Sequence, residues 1–306
     1  MQTEGIMDVV VTGSSGLIGT ALKGALEKAG HRLVPMVRSQ ASGGAIHWDP
    51  DRGEIDAGGL EGVGAVVHLA GEGIGNRRWN EAHKAKVKES RRKGTSLLAE
   101  TLAKLEKAPK VLVSGSAVGY YGDRGDEVLT ESSRPGNDFL ADVCTAWEAA
   151  TAPAKEAGIR VAHIRTGIVL SGRGGVLPKM LLPFKFGFGG KLGSGKQWMS
   201  WIALEDEVNA IVHLLGDDSL SGPFNLTAPN PVTNADMTKV IGAAVHRPTL
   251  IPAPAFALKT ALGAEMAEEL LLVSQRALPT CLLDSGFAFR HPDLADALQV
   301  ALAESS

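Results

Sequence analysis

The chain has 306 residues, 44% of them hydrophobic and 21% charged, with 31 basic against 34 acidic side chains and a formal net charge of -3. One hydrophobic core stops growing at about 250 to 300 residues, so a large domain with a smaller appendage is expected and a minimal binding module is excluded. The balanced charge supplies no global field to recruit nucleic acid or membrane, no apolar stretch reaches the roughly 18 residues of a spanning helix, and no signal-peptide pattern opens the chain, which points to a cytoplasmic protein.

Val9-Val10-Val11 is a β-branched run that stops at Thr12-Gly13, and an apolar-periodic segment from Leu17 to Leu26 follows before Gly30. With a second strand over Arg32 to Val37, the first forty residues predict a βαβ unit with a right-handed crossover. Further apolar runs at Ala65 to Ala70, Lys110 to Val113 and Arg160 to Leu170 alternate with helical stretches near Glu81 to Glu106 and Phe139 to Ala157. Such alternation predicts an α/β, doubly wound parallel sheet of Rossmann type. Glycine rises from Ser171 to Gly195, predicting long loops above the sheet, where function concentrates. Past Pro248 a helix is expected over Leu262 to Val273, and His291-Pro292 opens a last amphipathic helix, so 246–306 is set apart as a small helical domain after a main domain over 1–245. Cys144 and Cys281 lie far apart without a Cys/His cluster, which supports neither a disulfide framework nor a metal centre.

Gly13-Ser14-Ser15-Gly16-Leu17-Ile18-Gly19 is a G-x-x-G-x-x-G turn between the first strand and helix. Gly13 can make the tight turn, Gly16 lets backbone N–H groups approach a pyrophosphate, and Gly19 allows close packing, which is dinucleotide chemistry in this context rather than a bare glycine pattern. The second strand ends in Val37-Arg38-Ser39, a cation and a hydroxyl where an NAD-binding chain would carry Asp or Glu, so NADP(H) is favoured. The alternative for Arg38 is a solvated strand end.

Together with that turn, His68-Leu69-Ala70-Gly71, Arg77-Arg78-Trp79-Asn80, Ser116-Ala117-Val118-Gly119-Tyr120-Tyr121-Gly122, Trp147-Glu148, Arg165-Thr166-Gly167 and Trp201-Ile202 resemble the epimerase-family proteins of the atypical extended short-chain dehydrogenase/reductase class. The stretches around Ser274-Gln275-Arg276 and Gly286-Phe287-Ala288-Phe289 resemble the small domain that closes these proteins. The resemblance implies NADP(H) bound with Gly13, Ser15, Gly16, Leu17, Ile18 and Gly19 at the phosphates, and Arg38 with Ser39 at the 2′-phosphate. It puts Leu69, Ala70 and Gly71 along the cofactor and Lys86, Arg91, Ser114 and Ile168 at further contacts. It does not supply a substrate.

The usual superfamily chemistry needs Tyr-x-x-x-Lys on one helix face, and this chain has none: its only tyrosines, Tyr120 and Tyr121, precede a Gly122-Asp123-Arg124-Gly125 turn. At that spacing Cys144 and Glu148 take the two positions, and a carboxylate beside a thiol raises the thiol's pKa, which makes Cys144 a poor base. Glu148 is left as a candidate acid or base or a loop anchor, and Cys144 as a small buried side chain. Ser116 matches the serine that polarises the reacting oxygen, and Tyr120 or Tyr121 could donate a proton or simply pack. Arg91 aligns with the usual asparagine, inside a run of eight Lys/Arg from Arg77 to Lys93 that otherwise suits a solvated helix face better than nucleic acid. Gln197, Trp198 and Trp201 in the glycine-rich region, and Asn225 beyond it, are candidate substrate contacts, with core packing the alternative for Trp201.

The expectation is therefore an NADP(H)-dependent oxidoreductase or epimerase-like enzyme on a small polar substrate, with no nucleic-acid or membrane partner, and a homodimer only by analogy. The competing reading is an NADP(H)-binding redox sensor or scaffold without turnover, motivated by the missing Tyr-Lys pair.

Overall fold

In the computed structural model, which describes residues 6–39 and 43–304, the apolar runs become strands of one sheet. They are β1 (Asp8–Thr12), β2 (Arg32–Val37), β3 (Ile46–Asp49), β4 (Glu54–Ile55), β5 (Ala65–His68), β6 (Val111–Ala117), β7 (Arg160–Thr166) and β8 (Gly222–Leu226). The order across the sheet is β8-β7-β6-β5-β1-β2-β3-β4, and the pairs are parallel except for the β3–β4 hairpin. The chain leaves β1 to one side for β2 and returns to the other for β5, which opens a crevice at the carboxyl ends of those strands.

The longer helices over the sheet are α1 (Leu17–Lys28), α2 (Glu81–Leu102), α3 (Phe139–Ala149) and α4 (Leu204–Gly216). The period of two along β1 divides the core, because alternate side chains of a strand face opposite sides. Val9 and Val11 pack with Leu22 and Leu26 of α1 and Ile211 and Leu214 of α4, while Val10 packs with Leu98 and Leu102 of α2. On that second side α3 lies against α2.

Several boundaries differ from expectation for local reasons. The helix expected over Phe139 to Ala157 stops at Ala149 and restarts as Ala152–Glu156, with Pro153 in the new first turn, where its missing N–H is harmless. The run Arg160 to Leu170 breaks at Gly167, whose N–H turns to Leu226 O, and Ile168–Leu170 then pairs with Trp201–Ala203. The stretch Leu262 to Val273 forms a short helix, Ala264–Ala267, and a π turn, Glu268–Leu272. The glycine-rich region holds a helix of its own, Leu177–Lys185.

The last helix runs Leu294–Ala303, and its Leu294, Leu298 and Ala301 join Leu177, Leu181, Phe184, Trp201, Met237 and Ile241 in a third apolar cluster. Asp206 at the start of α4 accepts from the backbone N–H groups of Arg290 and His291 (2.8 and 2.9 Å), which fixes the entry to that helix. Neither cysteine is in a disulfide. Among the described residues no helix is long and apolar enough to cross a membrane.

Candidate functional site

Gly13, with φ of 68°, turns the chain out of β1 in a conformation that favours glycine, and its carbonyl accepts the Gly16 N–H at 3.0 Å. A Cβ on Gly19 would lie 2.4 Å from Gly13 O, so only glycine lets α1 sit flush against the turn. Gly16 caps α1 from extended backbone with no side-chain hydrogen bond, and Ser15 and Gly16 are exposed. The first amides of α1 therefore point outward without a side-chain cap, at the end of the helix where the dipole favours an anion. Leu17 and Ile18 are half-buried and anchor the first helical turn on the core.

Across the crevice, Thr12 Oγ1 accepts the N–H groups of Leu69 and Ala70 at 3.1 and 3.2 Å and shares a 2.7 Å hydrogen bond with His68 Nδ1. Burial, reinforced by Arg91, pulls the His68 pKa down to about 4, so the ring is neutral. One threonine thus holds the Leu69-Ala70-Gly71 wall against the glycine turn. Arg91 lies behind that wall: its guanidinium donates to Glu72 O and Val87 O and stacks 4.9 Å over Trp147. A Cβ on Gly71 would come within 3.1 Å of it. Exposed Lys86 reaches Glu72 at 3.5 Å. Arg38 and Ser39 are exposed just past β2, and among the described residues the Arg38 side chain has no hydrogen bond or acidic partner. Uncapped amides and a glycine cradle fit the pyrophosphate of a dinucleotide, with the Arg38 cation one strand away.

The second part of the site is a polar line across the sheet. Ser116, Arg165 and Asn225 stand in register on β6, β7 and β8. Glu148, from α3, accepts from Ser116 Oγ at 2.7 Å and from Arg165 Nε and Nη2 at 2.8 and 2.9 Å, a bidentate pair in which Arg165 is 4% and Glu148 13% exposed. Arg165 Nη1 donates to Tyr121 Oη (3.1 Å) and Glu131 O (3.2 Å), and Tyr121 Oη donates to Asn225 Oδ1 at 2.6 Å. Asn225 spends its remaining groups on Leu278 O and Glu131 Oε1. Burial pushes the Tyr121 phenol up to about 12, so it keeps its proton.

Tyr120 differs from its neighbour. Its ring lies 3.5 Å over the Arg165 guanidinium and edge-on to Tyr121, it is half-buried, and among the described residues its hydroxyl makes no hydrogen bond. Cys144 sits one helical turn before Glu148, and burial, with Glu148 adding and Arg91 opposing, pushes its thiol up to about 11. A thiol in that state is neither base nor nucleophile at neutral pH.

The remaining candidates are structural in their contacts. Gln197 is buried and donates its amide to Leu192 O and Leu271 O. Trp198 donates to Asp126 and carries Arg276 on its ring, and Trp201 is fully buried, donating to Asn230 O. Asn225 is fully buried with both amide atoms engaged. Ser114 is buried on β6, and half-buried Ile168 follows the break at Gly167. Arg165, the hub of the polar line, was given no role from sequence, although an arginine in the apolar strand Val161-Ala162-His163-Ile164-Arg165 is a legible signal of a buried partner. Glu131, in a loop of ordinary polar composition, offered none.

A family model described as the NAD dependent epimerase/dehydratase family matches residues 9–245, and one described as a domain of unknown function (DUF1731) matches 253–301. The chain is 45% identical over 299 residues to an epimerase family protein, ML0860, of Mycobacterium leprae, spanning 97% of this chain and 96% of that one. It superposes on the crystal structure of human epimerase family protein SDR39U1 with NADPH at a TM-score of 0.90 and 36% identity, covering 97% and 99% of the two chains. MoeE5 in complex with UDP-glucuronic acid and NAD matches at a TM-score of 0.75 and 19% identity over 97% and 98% of the chains, a likeness of fold alone.

Proposed function

This chain belongs to the NAD-dependent epimerase/dehydratase family, in the atypical extended short-chain dehydrogenase/reductase class, and from that premise we propose that it is an NADP(H)-dependent oxidoreductase or epimerase-like enzyme acting on a small polar substrate. A nicotinamide dinucleotide is the supported cofactor. The preference for the phosphorylated form is inferred from Arg38, exposed and unpaired among the described residues, and from the human relative whose structure contains NADPH.

The observation that carries the reading is the convergence of two constructions at the carboxyl edge of the sheet: the uncapped α1 amides and the Ser116–Glu148–Arg165 line. When bound, the cofactor supplies the hydride. The chain's own part is to orient a carbonyl or alcohol oxygen and to move one proton. Ser116 stands nearest the usual polarising position; its one hydroxyl proton goes to Glu148, which leaves its oxygen to accept from a substrate alcohol. Tyr120, whose phenol has no internal partner among the described residues, is the group best suited to give the proton to that oxygen, while Arg165 beneath its ring holds it in place. Tyr121, Glu148 and Arg165 are committed to one another and act as positioning residues.

The mutual engagement of those groups also favours the second reading, a dinucleotide-binding sensor without turnover. Saturable NADPH oxidation, screened over carbonyls, quinones and nucleotide sugars, separates the two. With an active substrate in hand, Tyr120→Phe should lower kcat by ~10²-fold or more while leaving cofactor affinity unchanged, the effect of removing a general acid. Unchanged turnover in Tyr120→Phe would remove Tyr120 from the account, and in Ser116→Ala would remove Ser116. Stoichiometric NADPH binding with no oxidation by any substrate would favour the sensor.

A further inference from the structure

The cluster of exposed apolar side chains beside the glycine-rich region has no part in the site described above. Leu182 (55% exposed), Phe186 (70%), Phe188 (65%), Leu250 (83%), Ile251 (49%) and Phe256 (73%) are all turned to solvent. They come from two stretches of chain that run together: Ala253 N–H donates to Lys191 O at 2.9 Å, Gly193 N–H donates to Ala253 O at 2.8 Å, and Leu192 bridges Ala253. Gly190 lies so close to Ile251 O that no side chain fits between them. The helix Leu177–Lys185 faces its Leu177, Leu181 and Phe184 inward, so the outward residues are surplus to its packing. A contiguous exposed patch of this kind marks an interaction surface.

The charge along the two stretches that carry it is one-sided, and Glu268 at its edge is already paired with Lys259. No Asp or Glu occurs from Ser171 through Leu204 or from Met237 through Ala264, although the chain carries 34 of them. Lys179, Lys185, Lys191 and Arg247 are exposed, and none has an acidic partner among the described residues. The net charge of -3 conceals this local basic rim, and with it a reason to revise the expectation that no membrane is involved.

We propose that this face, Leu182–Lys191 with Leu250–Phe256, docks the protein peripherally on an anionic lipid bilayer. Exposed aliphatic and phenylalanine side chains interleaved with unpaired lysines match an acyl boundary below anionic headgroups. A second copy of the chain is a poorer occupant, because a symmetric contact would bring the unpaired cations of both copies together. Docking is independent of the proposed reaction, since none of these residues belongs to the dinucleotide cradle or the polar line.

The test is co-sedimentation of the full chain with phosphatidylcholine vesicles, with and without 30% phosphatidylglycerol. Binding should appear only with the anionic lipid and weaken at least tenfold in 0.5 M salt. The Phe186→Ser/Phe188→Ser/Phe256→Ser variant should lose at least tenfold in binding, and Lys185→Glu/Lys191→Glu should lose it at low salt, both with wild-type circular dichroism and NADPH affinity. No binding to anionic vesicles, or binding that neither variant alters, overturns the proposal. So does a wild-type dimer in light scattering that the phenylalanine variant converts to monomer, which would give the face to a second copy.

Discussion

Glu207, in the first turn of α4, offers a quantitative test of how the interior is built. It is fully buried, one carboxylate oxygen accepts from Thr166 Oγ1 at 2.8 Å, and the other has no partner among the described residues. Burial pushes its pKa up to about 8 from an ordinary 4.5, the Thr166 bond only partly opposing it. Below about pH 4.5 both folded and unfolded chains hold the proton and Glu207 costs nothing. Between about pH 4.5 and 8 only the unfolded chain ionises, so stability falls with rising pH by about 1.4 kcal/mol per unit, roughly 3 kcal/mol by pH 7 and about 5 above pH 8.

Glu207→Gln keeps an acceptor for Thr166 but cannot ionise, so its own contribution is flat in pH. Its amide N–H₂ would lack partners, a constant penalty of about 1–3 kcal/mol. Reversible urea unfolding of both proteins at pH 5.5, 7.0 and 8.5 should find the variant gaining on the wild type as pH rises, by about 3 kcal/mol in total, and more stable than it at the highest. A gap that stays constant across the range would refute a buried, protonated Glu207.

Cys144, with its thiol buried and pushed up to about 11, should resist iodoacetamide at pH 8 in the folded protein and react fully in urea, as read by peptide mass spectrometry; rapid native labelling would contradict its burial. Gly19→Ala would drive a Cβ into Gly13 O, and should destabilise the protein by about 1–3 kcal/mol in thermal melts and weaken NADPH binding at least tenfold, since the turn must shift. Wild-type affinity would mean that the turn does not form the cradle. Glu148→Gln leaves the buried Arg165 cation without its counter-charge and should cost about 3–5 kcal/mol in urea unfolding, whereas an exposed pair would cost under about 1.

How much of this was legible in the sequence depends on how local the cause was. The β1–turn–α1 unit was readable because strand period, glycine spacing and helix period lie within a stretch of about twenty residues. Conversely, spacing along α3 matches Cys144 and Glu148 to the superfamily pair but cannot say what Glu148 meets. Its partner, Arg165, comes from β7 and arrives by lateral register with Ser116, a relation that no spacing within one helix encodes. Tyr120 and Tyr121 were equivalent as neighbours in a string; the short helical turn Val118–Tyr121 sends one phenol into the Asn225 network and leaves the other hydroxyl without a partner there. Trp201 and Asn225 fell in a region read as substrate-facing, yet the break at Gly167 pulls Trp201–Ala203 into a ladder and the indole into the core.

The dinucleotide cradle can be measured directly by isothermal titration calorimetry. Wild-type protein should bind one NADPH per chain and favour it over NADH by tenfold or more, a preference that Arg38→Ala should largely abolish while leaving NADH affinity unchanged. Absence of heat with either nucleotide, or an Arg38→Ala variant that still discriminates as wild type does, would contradict it.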